Sequence, residues 1–258
     1  MSAPKDIFYS LPEIWDFCLE KIYDKNEYVA GLEELFRSRG VTKQSLILDA
    51  GCGSGFPSIN LIERGYRIIA TDKSSEMVRQ TQLNAQKRNV SIEAYNIMWA
   101  NLSKQFGPVF DLVYCRGNSL VYAASWEQNW IVPDRSREEI VKAIQNFWKI
   151  LKPGGQIYID ITDKSEKPHK EDIGTVETER GRISIVWEIT HDAKNRIRTW
   201  TITLISLKTG EQKRYSSYSY LLPHIELMDL FKDAGFGHID QYVPVRGEKS
   251  YSVFIARK

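Results

Sequence analysis

Apolar residues recur along this chain with two different spacings, and segments of one kind alternate with segments of the other. Spacings of three and four residues are typical of amphipathic helices, and short runs rich in β-branched residues are typical of buried strands. The helical spacing predicts one or two helices over 12–39 and single helices over 57–64, 75–88 and 135–151. The short runs predict strands over 45–50, 66–72, 90–97, 109–115 and 156–162. Strands that alternate with helices form βαβ units, so the pattern predicts an α/β fold with a mostly parallel sheet.

The pattern changes in the last third of the chain. Three segments of strand composition, 183–190, 196–206 and 213–222, follow one another with turn-like breaks and no helix between them. Consecutive strands joined by short turns are antiparallel, which predicts a β insertion in the α/β body. A helix over 225–234 and strands near 238–244 and 250–257 then complete the pattern. We therefore expect three parts, which are an N-terminal helical lid over 1–44, a Rossmann-like domain over 45–165 and 223–258, and the insertion over 166–222.

Composition and charge narrow the function classes only a little. The 258 residues suffice for one domain with an elaboration or for two small domains, and the net charge of +2 gives no long-range attraction to nucleic acid or membrane. Three widely spaced cysteines, Cys18, Cys52 and Cys115, form neither a disulfide framework nor a zinc motif. We therefore expect a cytoplasmic protein with no nucleic-acid partner, no membrane partner and no metal site.

Glycines follow the first predicted strand in the segment "LILDAGCGSGFPS", which runs over 46–58. Gly51 and Gly53 match the first two glycines of a dinucleotide-binding loop, but Phe56 stands where the third glycine of that loop should be. Asp72 follows Gly51 by 21 residues, at the end of the second strand, a spacing that suits a carboxylate that binds ribose hydroxyls. The loop therefore favours a nucleoside ligand without favouring a pyrophosphate. In the alternative interpretation, Asp72 only caps the helix that follows it.

Five segments carry a resemblance to class I S-adenosylmethionine-dependent methyltransferases, and more narrowly to the glycine/sarcosine N-methyltransferase family. They are "EIWDFCLEKIYDKNEY" (13–28), "ILDAGCGSGFPSINLIERGY" (47–66), "FDLVYCRGNSLVY" (110–122), "LKPGGQIYIDI" (151–161) and "RYSSYSYLLPH" (214–224). The resemblance implies a Rossmann-like fold with a seven-stranded, mostly parallel sheet. It also implies S-adenosylmethionine as the cofactor, S-adenosylhomocysteine as the product and a small-molecule amine as the acceptor.

The same resemblance implies roles for individual residues around the cofactor. The methionine part would lie against Ala50, Gly51 and Gly53, the ribose against Asp72, the adenine against Lys73, Met77, Met98 and Trp99, and the sulfur near Cys115 and Arg116. Trp15 and Lys25 would fold over the cofactor, with Lys25 as a partner for its carboxylate. Asn118 would touch the methyl acceptor.

Aromatic side chains are further candidates for the acceptor pocket, because a closed, partly apolar pocket keeps an amine unprotonated and aromatic faces stabilise positive charge. The candidates are Tyr114, Tyr122, Tyr218 and Tyr220. We expect the insertion strands to cover the acceptor side and to contribute Tyr218 or Tyr220.

The chain departs from the family after the fifth strand. Glycine-methylating relatives have an arginine in an "IDHRN" context that grips the substrate carboxylate, whereas this chain reads "IDITDKSEK" over 159–167. Thr162 or Asp163 takes the place of that arginine, which predicts a neutral or negative pocket. Such a pocket favours a small amine without a carboxylate, for example a cationic or guanidino amine. In the alternative interpretation, Arg214 or Lys164 grips the carboxylate.

The sequence thus predicts an N-methyltransferase that acts on a small amine by direct in-line transfer, a reaction that depends mainly on positioning. Three other functions stay open, namely a glycine/sarcosine N-methyltransferase proper, a small-molecule O-methyltransferase and a non-catalytic S-adenosylmethionine binder. Phe56 argues against a dinucleotide-dependent oxidoreductase. The triplet "GNS" at 117–119 differs from the Asn/Asp-Pro-Pro-aromatic motif of nucleic-acid amino-methyltransferases.

Overall fold

The structure is a computed structural model that describes residues 10–124, 133–162, 166–242 and 251–258. The strands within these residues are β1 (Leu46–Ala50), β2 (Arg67–Asp72), β3 (Glu93–Asn96), β4 (Phe110–Cys115), β5 (Leu151–Thr162), β6 (His169–Thr178), β7 (Gly181–Asp192), β8 (Ile197–Ser206), β9 (Gln212–Tyr220), β10 (Ile239–Tyr242) and β11 (Tyr251–Arg257). The α-helices are α1 (Leu11–Ile22), α2 (Lys25–Ser38), α3 (Ser58–Glu63), α4 (Ser75–Lys87), α5 (Leu102–Gln105), α6 (Pro133–Ile150) and α7 (His224–Ala234).

Seven of these strands form one sheet, in the order β10-β11-β5-β4-β1-β2-β3. Strands β1 to β5 are parallel to their neighbours within this set, and β11 runs antiparallel to both β5 and β10. Parallel pairing follows from the helices that connect consecutive strands. The predicted α/β class, with its seven-stranded, mostly parallel sheet, is confirmed.

The remaining four strands form a separate antiparallel sheet in the order β6-β7-β8-β9. Three of its strands lie where the sequence predicts an antiparallel insertion. Strand β6 was not predicted, because its sequence "HKEDIGTVET" is polar over most of its length and its first four side chains are exposed. It is an edge strand, and backbone pairing with β7 holds it in the sheet although its sequence lacks the apolar pattern that usually indicates a strand.

Side chains of the main sheet alternate between its two faces, and each face packs into a separate hydrophobic core. On one face, Leu48 and Val113 pack with Phe147 of α6. On the other face, Ile47 and Leu112 pack with the α2 residues in the second core. Both faces are covered, as a parallel sheet requires.

A third core joins α1 to the small sheet. Ile14 and Cys18 of α1 pack with Ile185 of β7 and with Trp200 and Ile202 of β8. Helix α1 therefore lies between the small sheet and the rest of the molecule. Within the described parts of the chain, no helix combines the length and the apolar character needed to cross a membrane.

We expect Leu32→Ala to lower the free energy of unfolding by about 2–5 kcal/mol, because Leu32 is fully buried on α2 and its truncation leaves a cavity against the main sheet. Leu83→Ala is the matched control, since Leu83 also lies on a helix but is 39% exposed. Urea unfolding of both variants measures the difference. Equal losses in the two variants would contradict the packing of α2.

Burial of Asp49 on β1 predicts a pH dependence of stability. Burial raises the pKa of Asp49 to about 7, although a hydrogen bond donated by Ser58 Oγ (2.5 Å) acts in the opposite direction. The folded protein thus keeps a proton that the unfolded chain releases near its ordinary value of 3.8. Between these two values the folded state binds more protons, so stability falls as the pH rises from about 4 to 7, by at most about 1.4 kcal/mol per pH unit.

We expect Asp49→Asn to remove this slope, because the amide has the same shape and does not titrate. Chemical denaturation at pH 5, 6 and 7 measures it, with Asp229→Asn, a substitution at an exposed position of α7, as the control. Identical slopes in wild type and Asp49→Asn would exclude a titrating Asp49.

Candidate active site

The loop after β1 folds back over the end of β2. The amides of Gly51 and Cys52 both donate to Thr71 O, at 2.8 and 3.0 Å. Gly51 has φ +95°, and a Cβ there would lie 3.1 Å from the ring of Trp99. A Cβ on Gly55, at φ +101°, would lie 2.6 Å from Ile59. Glycine at these two positions therefore lets the backbone turn and approach its neighbours closely.

Asp72 ties this loop to β2. One carboxylate oxygen accepts from the Gly53 amide (3.0 Å) and the other from the Ser74 amide (2.9 Å). The cap of α4 is Ser74, whose Oγ accepts from Met77 N, so Asp72 is not the capping residue. Each carboxylate oxygen has a second lone pair available for a ligand. Burial raises the pKa of Asp72, while the two backbone hydrogen bonds favour its ionised form.

A cleft with two adjoining lobes opens above the carboxyl ends of the parallel strands. We call the first the glycine-loop lobe, which includes Gly51, Gly53 and Asp72 and has about 880 Å³ of space including its open mouth. We call the second the sheet lobe, which includes Glu166, Arg198 and Trp200 and has about 1370 Å³. Both lobes share a wall that contains five aromatic side chains, Trp15, Tyr23, Tyr122, Trp187 and Tyr251. We call these five residues the aromatic wall.

Most of the cofactor residues that the resemblance implies line the glycine-loop lobe. They are Trp15, Gly51, Gly53, Asp72, Lys73, Met77, Trp99 and Arg116. The Nε1 atom of Trp99 is buried and has no hydrogen-bond partner within the described residues.

Four of the implied cofactor residues lie elsewhere. Ala50 and Cys115 are fully buried at the ends of β1 and β4, where their side chains belong to the core. Met98 is 38% exposed outside the lobe. Lys25 is at the start of α2, which directs it to a different cleft and to Glu20 at 3.6 Å. These four residues therefore do not line the glycine-loop lobe, and their contacts with the cofactor stay predictions.

Of the predicted acceptor-side residues, Asn118 lines the sheet lobe. It has φ +58°, its amide donates to Asp160 Oδ1 (2.9 Å), and its own Oδ1 accepts from Thr162 N (3.1 Å). The turn after β4 is thus fixed against β5. Asp163 and Lys164 lie outside the described residues. Arg214 is largely exposed, lies 3.6 Å from Glu188 and lines neither lobe.

Neither Tyr218 nor Tyr220, the tyrosines predicted for the acceptor pocket, lines the sheet lobe, although Tyr220 lines a neighbouring cavity that also includes Asn118. Successive strand residues point to opposite faces, and Trp200, which lines the sheet lobe, pairs with Ser217. Tyr218 and Tyr220 are therefore on the other face of β9. The Tyr220 hydroxyl instead bonds to Arg196 (2.5 Å) and Glu226 (3.2 Å). Tyr114 is fully buried in the second core, and only Tyr122 of the four aromatic candidates lines both lobes.

The insertion contributes tryptophans where tyrosines were expected. Trp187 of β7 stacks on Trp15 of α1, with ring centroids 6.2 Å apart and planes 6° apart. Trp200 of β8 meets Trp15 edge-on at 5.4 Å and Trp187 at 4.9 Å. Stacked and edge-on pairs are favoured arrangements of aromatic rings, so this cluster holds the small sheet and α1 together at the cleft.

A charged network that sequence reasoning missed closes the far side of the sheet lobe. Glu166 accepts two hydrogen bonds from Arg198 (2.8 and 2.9 Å) and lies 2.8 Å from His191 Nε2. Burial opposes the ionised carboxylate, but these partners hold the pKa of Glu166 below its ordinary value. Arg198 also donates to the Tyr122 hydroxyl (3.2 Å). The sequence did contain a signal for this network. Arg198 and Trp200 are two residues apart on β8, and residues at positions i and i+2 of a strand point to the same face of the sheet.

Comparisons with known proteins show which families the chain is similar to. Residues 47–155 match the family described as "Methyltransferase domain". A glycine/sarcosine N-methyltransferase from Halorhodospira halochloris is 29% identical over 50% of this chain and 42% of its own length. A glycine N-methyltransferase from Mus musculus is 32% identical over 52% of this chain and 45% of its own length. The chain thus matches less than half the length of these relatives.

A solved structure matches the chain almost completely. It is the X-ray structure of a sugar N-methyltransferase from a Streptoalloteichus species, which aligns with a TM-score of 0.75 at 16% identity over 100% of this chain and 96% of that one. At such low identity this match concerns the fold. Residues 47–155 therefore match a methyltransferase domain, and the chain shares the fold of a solved N-methyltransferase and resembles the glycine/sarcosine N-methyltransferases.

Proposed function

We propose that this chain transfers a methyl group from S-adenosylmethionine to the nitrogen of a small amine. The observation that carries the proposal is the continuity of the cleft. A lobe with the features of a nucleoside site opens directly, along the aromatic wall, into a second lobe large enough for a small molecule. The matched domain and the relatives named as N-methyltransferases support the same reaction.

The residues of the glycine-loop lobe fit this cofactor. Asp72 has two carboxylate oxygens for ribose hydroxyls, while Met77 and Trp99 offer an apolar contact and an aromatic ring for a purine. The buried Trp99 Nε1, without a partner within the described residues, is a donor that a bound heteroatom would satisfy. The sulfonium of the bound cofactor would supply an already activated methyl group.

The chain's own contribution to the transfer is positioning and solvent exclusion. Asn118 is fixed by hydrogen bonds to β5, and Tyr122 by Arg198, so both present defined surfaces to the sheet lobe. The aromatic wall excludes water and keeps an acceptor amine neutral, the form that can attack a methyl group. Holding reactants in line can contribute on the order of 7–11 kcal/mol.

The charge of the sheet lobe supports an acceptor with a second, positively charged group. Three carboxylates, Glu166, Glu171 and Asp172, line this lobe, against the permanent cations Lys21 and Arg198. Arg198 is occupied by Glu166 and Tyr122. A carboxylate-bearing acceptor such as glycine would therefore meet an excess of negative charge, whereas a diamine or guanidino amine would be attracted.

We expect Asp72→Asn to raise the dissociation constant for S-adenosylmethionine at least tenfold. The change keeps the shape but removes the charge and replaces one carboxylate oxygen, which accepts from a loop amide and is available to a ribose hydroxyl, with an NH2 donor, a loss on the order of 1.5–3 kcal/mol. Calorimetric titration measures it, with Asp111→Asn, at the opposite end of the same sheet, as the control. The proposed ribose contact is wrong if the Asp72 variant binds like wild type, and the proposed cofactor is wrong if the protein prefers NAD.

We expect a diamine or guanidino acceptor to have a higher kcat/KM than glycine, measured as methyl transfer from labelled cofactor. Glu171→Gln should lower the ratio of the two values about three- to tenfold at low salt, because charge attraction is then strongest. Glu177→Gln is the matched control, since Glu177 is on the same strand outside the lobe.

Two outcomes would contradict parts of this proposal. Efficient methylation of glycine or sarcosine by wild type would overturn the acceptor assignment but keep the reaction. Binding of S-adenosylmethionine without transfer to any member of a broad amine and alcohol panel would instead support a non-catalytic binder.

A further inference from the structure

Arg116 is a buried cation in the wall of the glycine-loop lobe. It directly follows β4 and is 8% exposed. Its guanidinium carbon lies 5.2, 5.4 and 5.9 Å from the ring centroids of Phe56, Tyr28 and Tyr23. One terminal nitrogen donates to Phe56 O at 2.6 Å. Helix α2 and the glycine loop thus enclose this side chain on its apolar sides.

The enclosure does not neutralise the charge of Arg116. Within the described residues, no carboxylate oxygen lies within ion-pair distance of its guanidinium. The acid that faces it, Asp49, is fully buried, and burial raises the pKa of that carboxyl to about 7. Aromatic faces offset part of the desolvation of a buried cation, but a buried charge is normally paired with a counter-ion. The remaining donors of Arg116 are therefore available to an anion that enters the cleft.

The position of Arg116 indicates which end of a ligand it meets. It lines the glycine-loop lobe together with Gly53 and Asp72, and it is absent from the lining of the sheet lobe, where an acceptor would bind. The other cation of this lobe, Lys73, donates to Tyr122 O. The carboxylate partner implied by the resemblance, Lys25, lines a different cleft.

We propose that Arg116 binds the α-carboxylate of the methionine portion of the cofactor, in place of Lys25. The inference rests on the proposed function, because it concerns the same ligand. A guanidinium suits this task, since its planar donors can bind a carboxylate while the aromatic rings fix its orientation.

The contribution of the carboxylate to binding can be measured with two ligands. S-adenosylmethionine and its decarboxylated analogue share the adenosine, the sulfonium and the amine, and they differ in the carboxylate alone. Titrations without any acceptor exclude a contact between Arg116 and an acceptor carboxylate. The variants are Arg116→Met, Arg116→Lys and the rival Lys25→Met, with thermal unfolding of each as a check on folding.

In wild type, S-adenosylmethionine should bind roughly 10- to 100-fold more tightly than the decarboxylated analogue. Arg116→Met should remove most of this ratio by weakening S-adenosylmethionine alone, Arg116→Lys should restore part of it, and Lys25→Met should leave it unchanged. Because the ratio is measured within one preparation, partial destabilisation of a variant does not affect it.

Three results would overturn the inference. They are an unchanged ratio in Arg116→Met, an equal loss of both ligands in that variant, or a ratio lost in Lys25→Met. Failure of wild type to bind S-adenosylmethionine at all would instead refute the proposed function, so the two failures are distinguishable.

Discussion

The hydrogen bond from the Gly53 amide to Asp72 joins the loop after β1 to the end of β2, and the cleft depends on it. Together with the two amides that donate to Thr71 O, it holds the loop across the neighbouring strand. The loop then brings Gly51 against Trp99 and leaves space above the strand ends. A ligand that entered this space would meet a backbone already fixed, so ordering the loop would cost little on binding.

The sequence predicted this part of the molecule well, because local rules govern it. Glycines with positive φ, an acid at the end of the next strand and alternating helices and strands each leave a signal within about 25 residues. The α/β class and the antiparallel insertion follow from the same signals, whereas the seven-stranded sheet was implied by the family resemblance. Strand β6 left none, because its polar sequence is held in place by pairing with β7.

Contacts between distant segments were less predictable, and the differences between the expected and the observed positions have a common cause. Tyr218 and Tyr220 were chosen for their aromatic character, but the pleat of β9 places them on the face opposite Trp200. Lys25 follows a helix break that directs it away from the cleft. Trp15 and Trp187 are 172 residues apart in sequence, and only the packing of α1 on the small sheet stacks them. Such contacts depend on the face of the strand from which a side chain projects and on the direction in which a helix runs. Neither can be read from the amino-acid composition.

Charge is distributed along the cleft in a way that suits the proposed transfer. Arg116, a cation without a carboxylate partner within the described residues, lies in the glycine-loop lobe, whereas the sheet lobe beyond the aromatic wall has three carboxylates against two cations, Lys21 and Arg198. Methyl transfer to an amine moves positive charge from the sulfur toward the acceptor nitrogen, which is the direction from the first lobe to the second. Acidic groups placed beyond the acceptor favour this redistribution, because they stabilise the charge that develops there and they require no reorientation during the reaction. Under the proposed function, the same acids would also select the acceptor, since they would repel a carboxylate in that lobe.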